Sequence, residues 1–250
     1  RLSLLLRAGI HRLLSREEII NRINVFPVPD GDTGTNLALT LHAVLQSLKA
    51  RPDDHAGRLL TRVADAALDG ARGNSGAILA QFLLGVCDRT GHLPAITVDD
   101  FASAVAGGAG YARDALAEPR EGTILTVLAD FAQEVGDLVG RHGVRSFREV
   151  FVRGLERARA SLEATREQLE SLRKANVVDA GAMGFVELLA GIVHYLETGE
   201  LAEDDAVSVI REDEAAAGEE QDLSHRYCTE CVISGEDVDR RRLRERLSVI

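Results

Sequence analysis

The chain has no tryptophan, one methionine, and only seven phenylalanines and three tyrosines in 250 residues. Sheet proteins draw on aromatic and β-branched side chains for cross-strand packing, so a core made mainly of Leu, Ala, Val and Ile points to close-packed helices. Three cysteines are too few for a disulfide framework and place the chain in a reducing cytoplasm. Lysine is almost absent, at Lys49 and Lys174 alone, and the net charge is −11. That balance excludes nucleic acid and anionic membrane surfaces as partners, because both need clustered cations. No uninterrupted apolar run approaches the length of a membrane span, and no signal-peptide pattern is present, so an integral membrane protein is not expected. Ten acidic residues against Arg211 alone fall between Glu200 and Asp222, which leaves only −2 for the rest of the chain. Most of the acidity therefore belongs to a linker.

What is there in quantity is helical periodicity. Leu6, Ile10, Leu13, Leu14, Ile20 and Ile23 predict a first helix that ends at Asn24. A second starts near Thr35 or Asn36 and carries Leu37, Leu41, Val44, Leu45 and Leu48, and a third runs from about Asp54 to Gly70. A fourth follows Gly76 through Ile78, Phe82 and Val86, and a fifth carries Phe101, Val105 and Ala112. A sixth opens at Thr123, a seventh runs from about Arg145 to Lys174, and an eighth places Phe185, Leu189, Ile192 and Leu196 on one side. The expected fold class is all-α, an eight-helix up-and-down arrangement over residues 1–200. An acidic, flexible linker over 201–223 comes next, and then the start of a second, α/β domain over 224–250, where Tyr227 to Ile233 has β-like character. Because the chain begins at Arg1 and stops at Val249-Ile250 in mid-pattern, it is expected to be part of a longer protein.

Four polar breaks interrupt the helices. They are Asn24 to Asn36, Gly70 to Gly76, Pro119 to Thr123, and Ala175 to Gly181. In the first, two prolines stiffen the approach and Asp30 and Asp32 flank Gly31. Paired hard carboxylates suit a divalent cation such as Mg2+, which takes one or two protein carboxylates and completes its shell with phosphate and water. Taken singly, each break also reads as an ordinary capped turn. All four are alternate connections, however, and in an up-and-down bundle alternate connections lie at one end. Helix N-termini beside small residues bind anions, and phosphate beside aspartates calls for a bridging metal. The economical reading is a Mg-nucleotide site. It is not a P-loop, since no G-x-x-x-x-G-K-[ST] occurs, and Gly70 to Gly76 is not a dinucleotide fingerprint because a helix precedes it.

The run Asn24-Val25-Phe26-Pro27-Val28-Pro29-Asp30-Gly31-Asp32-Thr33-Gly34-Thr35-Asn36, with Gly70-Ala71-Arg72-Gly73-Asn74-Ser75-Gly76 and Ala175-Asn176-Val177-Val178-Asp179-Ala180-Gly181, resembles the kinase (DAK2, DhaL-like) domain of bacterial fatty acid kinases. That domain is related to the nucleotide-binding subunit of dihydroxyacetone kinase. The resemblance covers about residues 1–200, and Tyr227-Cys228-Thr229-Glu230 resembles the opening of the middle domain that comes next in those kinases. It implies an eight-helix antiparallel barrel that binds ATP and Mg2+ at one end. Asp30 and Asp32 are implied metal ligands, and Asn24 stands near the place of a third aspartate in the dihydroxyacetone kinases. Thr33, Thr35 and Asn36 are implied to border the nucleotide. Gly73, Asn74, Ser75 and Gly76 are implied to hold phosphate, Thr123 to sit beside the nucleotide, and Asp179 with Gly181 to close its other side. Arg173 matches an arginine that reaches the transferring phosphate, and on its own reads equally as a charge on a polar helix face. Cys228 is implied to be a metal ligand whose partners lie further on.

The implied reaction is ATP-dependent phosphorylation of a fatty acid carboxylate, giving an acyl phosphate. By resemblance the acid is presented by a DegV-type carrier protein, and the enzyme forms a homodimer through further domains. A carboxylate is already ionised at neutral pH and needs no general base. Two other readings stay open at this point: the nucleotide-binding part of a dihydroxyacetone- or sugar-type kinase, and a nucleotide-binding scaffold without turnover.

Overall fold

The computed structural model describes residues 1–50 and 53–201. The chain divides into two units, Arg1–Val207 and Ser208–Ile250. The acidic linker, the expected second-domain start and Cys228 lie outside the described residues. Among the described residues the regular structure is ten helices: α1 (Leu2–Leu14), α2 (Glu17–Arg22), α3 (Thr33–Ala50), α4 (Ala56–Asp69), α5 (Gly73–Thr90), α6 (Val98–Asp114), α7 (Ile124–Gly140), α8 (Phe147–Gln168), α9 (Glu170–Ala175) and α10 (Ala180–Thr198).

The count exceeds the expected eight because two long helices are broken. The first breaks at Ser15 and Arg16, where the Ser15 hydroxyl turns back onto the Arg12 carbonyl at 2.7 Å. The short α2 is thereby redirected against α3. The seventh breaks at Leu169, whose backbone is extended (φ −115°, ψ 134°). A methyl group at Gly122 would collide with Gln168 and Leu169, so the α6–α7 loop lies directly against that break. Two boundaries also shift. α3 starts at Thr33 rather than Thr35 or Asn36, and α5 starts at Gly73, so Gly73 to Gly76 form its first turn instead of a loop before it.

Each long helix packs on the next in chain order, α1 on α3, α3 on α4, and so on to α8 on α10, and α10 returns to α1. Short connections between touching neighbours make them antiparallel, and the return contact closes the ring into a barrel. Glycine makes the closing seam tight: a side chain at Gly9 or Gly191 would strike the facing backbone of α10 or α1. The core forms two apolar clusters, one mainly among α5 to α8 and α10, the other among α1, α3, α4 and α5. Phe82, Phe131 and Phe185 meet edge to face in the first, with ring centroids 5.7 and 5.5 Å apart. α10 is long and apolar enough, by length and composition, to cross a membrane. Here it is a wall of the barrel, and its Glu187 is ion-paired with Arg12 of α1 at 2.7 Å.

Candidate functional site

All four polar breaks lie together at one rim of the barrel. Asn36 in the first turn of α3 lies against Gly73, where any side chain would overlap the Asn36 amide. Gly73 also has φ +57°, a conformation that favours glycine. Gly76 is as close to Thr40, whose hydroxyl accepts the Arg72 N–H at 3.1 Å. These contacts join the first and second breaks. A methyl on Gly181 would stand 3.4 Å from the Ser75 hydroxyl and 3.5 Å from Ile124, which joins the second, third and fourth.

In the first break, the Phe26-Pro27 peptide is cis and Gly31 has φ +67°. Asp30 and Asp32 are exposed on either side of it. Burial first, and then the neighbouring Asp30 charge, push the Asp32 carboxyl above its ordinary value, while a hydrogen bond from Asn36 opposes the shift. Asn24, only 5% exposed, donates Nδ2–H to Asp30 at 2.6 Å. Its Oδ1 is buried with no hydrogen-bond partner among the described residues. Two crowded carboxylates and an orphaned amide oxygen are the donor set that a hard cation satisfies. Among the described residues no cluster of three or more His, Cys, Asp or Glu side chains could hold a metal.

The helix N-termini around the rim differ in how they are satisfied. At α3, Asn21 of α2 accepts the Thr35 N–H at 3.1 Å and donates to the Thr35 hydroxyl at 2.9 Å, and that hydroxyl donates to Glu17 at 2.8 Å. Thr35 is thus engaged by α2. Thr33 is buried in the same turn. At α7, the buried Thr123 hydroxyl accepts the Leu125 N–H at 3.3 Å and donates to the Arg120 carbonyl at 2.8 Å. At α10, the Asp179 carboxylate accepts the Ala182 N–H at 2.8 Å. The N-terminus of α5 has no side-chain cap, and Asn74 there is exposed.

Asp179 is 5% exposed. Burial pushes its carboxyl up to about 6, against the opposing N–H groups of Ala182 and Ile124. Its carboxylate caps α10, and its backbone N–H donates to the Thr165 hydroxyl of α8 at 3.0 Å. Arg173 is exposed on α9, which ends at Asn176 in the left-handed conformation, and it has no ion-pair partner among the described residues. The reading of the sequence missed Asn21, Glu17 and Thr165, which hold the rim from behind. Glu17 and Asn21 stand one turn apart on α2, the signal by which they could have been found.

A closed all-helical barrel with paired carboxylates and glycine-lined helix N-termini at one rim defines the class of protein. The DAK2 domain family model matches residues 27–194, and the chain belongs to that family. Similar proteins include an uncharacterized protein of Staphylococcus epidermidis, 33% identical over 232 residues, and protein YloV of Bacillus subtilis, 32% identical over 235 residues. Each alignment covers 90% of this chain and 42% of the relative, so the chain spans less than half the length of these proteins. Among solved structures, the fold is similar to the dihydroxyacetone kinase from C. freundii in complex with AMP-PNP and Mg2+, with a TM-score of 0.59 and 16% identity over 77% of this chain and 33% of that one. The native form of the same enzyme gives a TM-score of 0.58 at 17% identity, over 77% of this chain and 34% of that one.

Proposed function

We propose that the chain is the nucleotide-binding domain of an ATP-dependent phosphotransferase whose acceptor is the carboxylate of a fatty acid, delivered in the cytoplasm by a DegV-type carrier protein. The observation that carries this reading is the position of Asn36. Its backbone N–H donates to the Asp32 carbonyl at 2.8 Å and its side chain lies against Gly73, so the carboxylate pair and the uncapped α5 N-terminus form one wall.

Asp30 and Asp32 would hold Mg2+, with Asn24 behind Asp30. When bound, the ion supplies charge neutralisation between the carboxylates and the nucleotide phosphates. The N–H groups of Asn74 and Ser75 in the first turn of α5 would hold phosphate oxygens as uncapped helix N-termini do, with Gly76, whose N–H donates to the Arg72 carbonyl at 3.1 Å, keeping the approach open. Arg173 adds positive charge at the rim for the transferring group. Thr33, Thr35, Thr123, Asp179 and Gly181 shape the walls rather than offering free donors.

The four breaks contain no His, Lys or Cys. A hydroxyl acceptor needs a base in reach, whereas a carboxylic acid with a reference pKa of about 4 is ionised at neutral pH. A carboxylate oxygen attacks the γ-phosphorus, the bond to the bridging oxygen breaks, and ADP leaves with an acyl phosphate as the other product. Positioning and charge do the rest. The breaks do hold carboxylates, at Asp30, Asp32, Glu121 and Asp179, but the first two are assigned to the ion and the others accept from Thr126, Arg113 and the α10 N-terminus, which favours the fatty acid over dihydroxyacetone or a sugar. Assembly as a homodimer would use the portions present in the longer relatives.

The test is to incubate the longer protein with MgATP, the fatty-acid-loaded carrier and hydroxylamine. Acyl hydroxamate and stoichiometric ADP are expected. Phosphate transfer to dihydroxyacetone without hydroxamate would overturn the acceptor, and tight MgATP binding with no transfer to either would make the domain a scaffold.

A further inference from the structure

Asn21 of α2 meets the loop of the first break at its entrance, its apex and its exit. At the exit its side chain accepts the Thr35 N–H at 3.1 Å and donates to the Thr35 hydroxyl at 2.9 Å. Glu17, one turn back on α2, fixes that hydroxyl by accepting from it at 2.8 Å. At the entrance the Asn21 backbone carbonyl accepts the Asn24 N–H at 3.1 Å, and Asn24 carries the bond to Asp30 at 2.6 Å. At the apex a methyl group on Gly31 would stand 3.8 Å from that same carbonyl oxygen. Gly34 has no room for a side chain, because one would strike the Glu17 carbonyl and the Asn21 amide oxygen. Both ends of the loop are therefore tied to one residue, and its turn folds back over that residue. Thr35 also decides what Asp32 is free to do. α3 begins at Thr33, and the Asp32 carbonyl accepts the Asn36 N–H at 2.8 Å, so Asp32 stands at the N-cap. An aspartate there ordinarily commits its carboxylate to the N–H of the second or third helical residue, and the third is Thr35. Asn21 holds that N–H instead. The start of α3 is thus capped from another helix, which leaves the Asp32 carboxylate for a ligand.

We propose that Asn21, supported by Glu17, is a positioning residue for the divalent cation: it caps α3 in place of Asp32 and ties both ends of the loop, so that the Asp30 and Asp32 carboxylates stay free and at a fixed spacing. This rests on the Mg-nucleotide reading given above. Mg2+ demands near-octahedral oxygen ligands at about 2.0–2.1 Å, and a loop of exposed residues meets that demand only when it is held from behind. Without the Asn21 side chain, the Thr35 N–H competes with the ion for the Asp32 carboxylate. The N–H groups assigned to phosphate lie on α5 and keep their places. Asn21 therefore governs the part of nucleotide affinity that the metal contributes.

The experiment measures AMP-PNP dissociation constants by calorimetry on the full chain, once with Mg2+ and once with EDTA, and melting temperatures in parallel. In the parent, Mg2+ is expected to tighten AMP-PNP binding. Asn21→Ala is expected to lose about tenfold of that gain, the scale of removing a group that orients a metal ligand, while its affinity in EDTA stays within about twofold of the parent. Glu17→Ala removes only the acceptor of the Thr35 hydroxyl and is expected to lose about threefold of the same gain, as for one weak hydrogen bond. Leu138→Ala, fully buried in the last turn of α7, is expected to lower the melting temperature and keep the whole Mg2+ gain. If the two α2 variants keep the whole gain, or weaken binding equally with and without the metal, α2 is merely structural and the proposal is overturned. A parent protein that binds AMP-PNP equally well in Mg2+ and in EDTA overturns the metal reading and this proposal with it.

Discussion

Asp30 and Asp32 flank Gly31, and burial together with the Asp30 charge raises the cost of ionising Asp32, a cost a divalent cation removes. Asp30→Asn and Asp32→Asn are each expected to lower Mg2+-dependent ATP turnover by at least about 10²-fold, the scale of losing one preorganised electrostatic contact. Steady-state kinetics with varied Mg2+ checks this, and the melting temperature should hold or rise because a repulsion is relieved. Asp179 makes a separate prediction. Its folded-state pKa, about 6, lies above the unfolded reference of 3.8, so folding takes up a proton between those values. The favourable contribution is fully present below about 3.8 and is lost as pH rises through about 6. At pH 7.5 the burial cost is about 3 kcal/mol, at roughly 1.4 kcal/mol for each pH unit separating the two values. Urea unfolding at pH 5 and pH 7.5 is expected to show a larger loss of stability in the parent than in Asp179→Asn, and equal pH slopes would refute the assignment. The chemistry-bearing residues were legible in the sequence because Asp, Asn, Thr, Ser and Gly stood together where apolar periodicity stopped. Their commitments were not. That the Thr35 hydroxyl belongs to Glu17 and Asn21, and the Asp179 N–H to Thr165, depends on partners brought in by the fold.

At the scale of elements, α2 is too short to be stable alone, yet it supplies both groups that hold Thr35. Asn21→Ala leaves the Thr35 N–H without its acceptor, and about 1–2 kcal/mol of stability should go, as for a lost cap. Chemical denaturation measures that loss. At Gly76 a methyl group would strike the Thr40 hydroxyl of α3, so Gly76→Ala must displace that hydroxyl from its bonds to the Asn36 carbonyl and the Arg72 N–H; a cost of about 1–3 kcal/mol is expected, as for other overpacked sites, with weaker MgATP binding. The helix stripes predicted most of the elements, since Leu, Val and Ile recur cleanly along α3, α4, α6 and α7. The interruptions at Ser15-Arg16 and Leu169 were illegible because no proline or glycine marks them. Contacts made elsewhere in the chain impose them, α3 lying against α2 and the Gly122 loop against Leu169. The first turn of α5 was read as a loop for the opposite reason: its glycines serve close packing against Asn36 and Thr40 rather than ending a helix.

At the scale of the molecule, α10 closes the ring on α1 within the first unit. A chain ending at Val207, the boundary of the first unit, is expected to unfold in one cooperative transition with a midpoint near that of the longer chain. A broad or early transition would show that the remainder is needed. The convergence of the four breaks was legible through their parity alone, since alternate connections of a closed antiparallel ring share a rim. The most direct measurement of the central claim is a crystal structure with AMP-PNP and Mg2+. The account expects the ion between Asp30 and Asp32 and the phosphates on the N–H groups of Asn74 and Ser75, beside Gly76. A nucleotide bound away from that rim, or bound there with Asp30 and Asp32 turned from the ion, would contradict it.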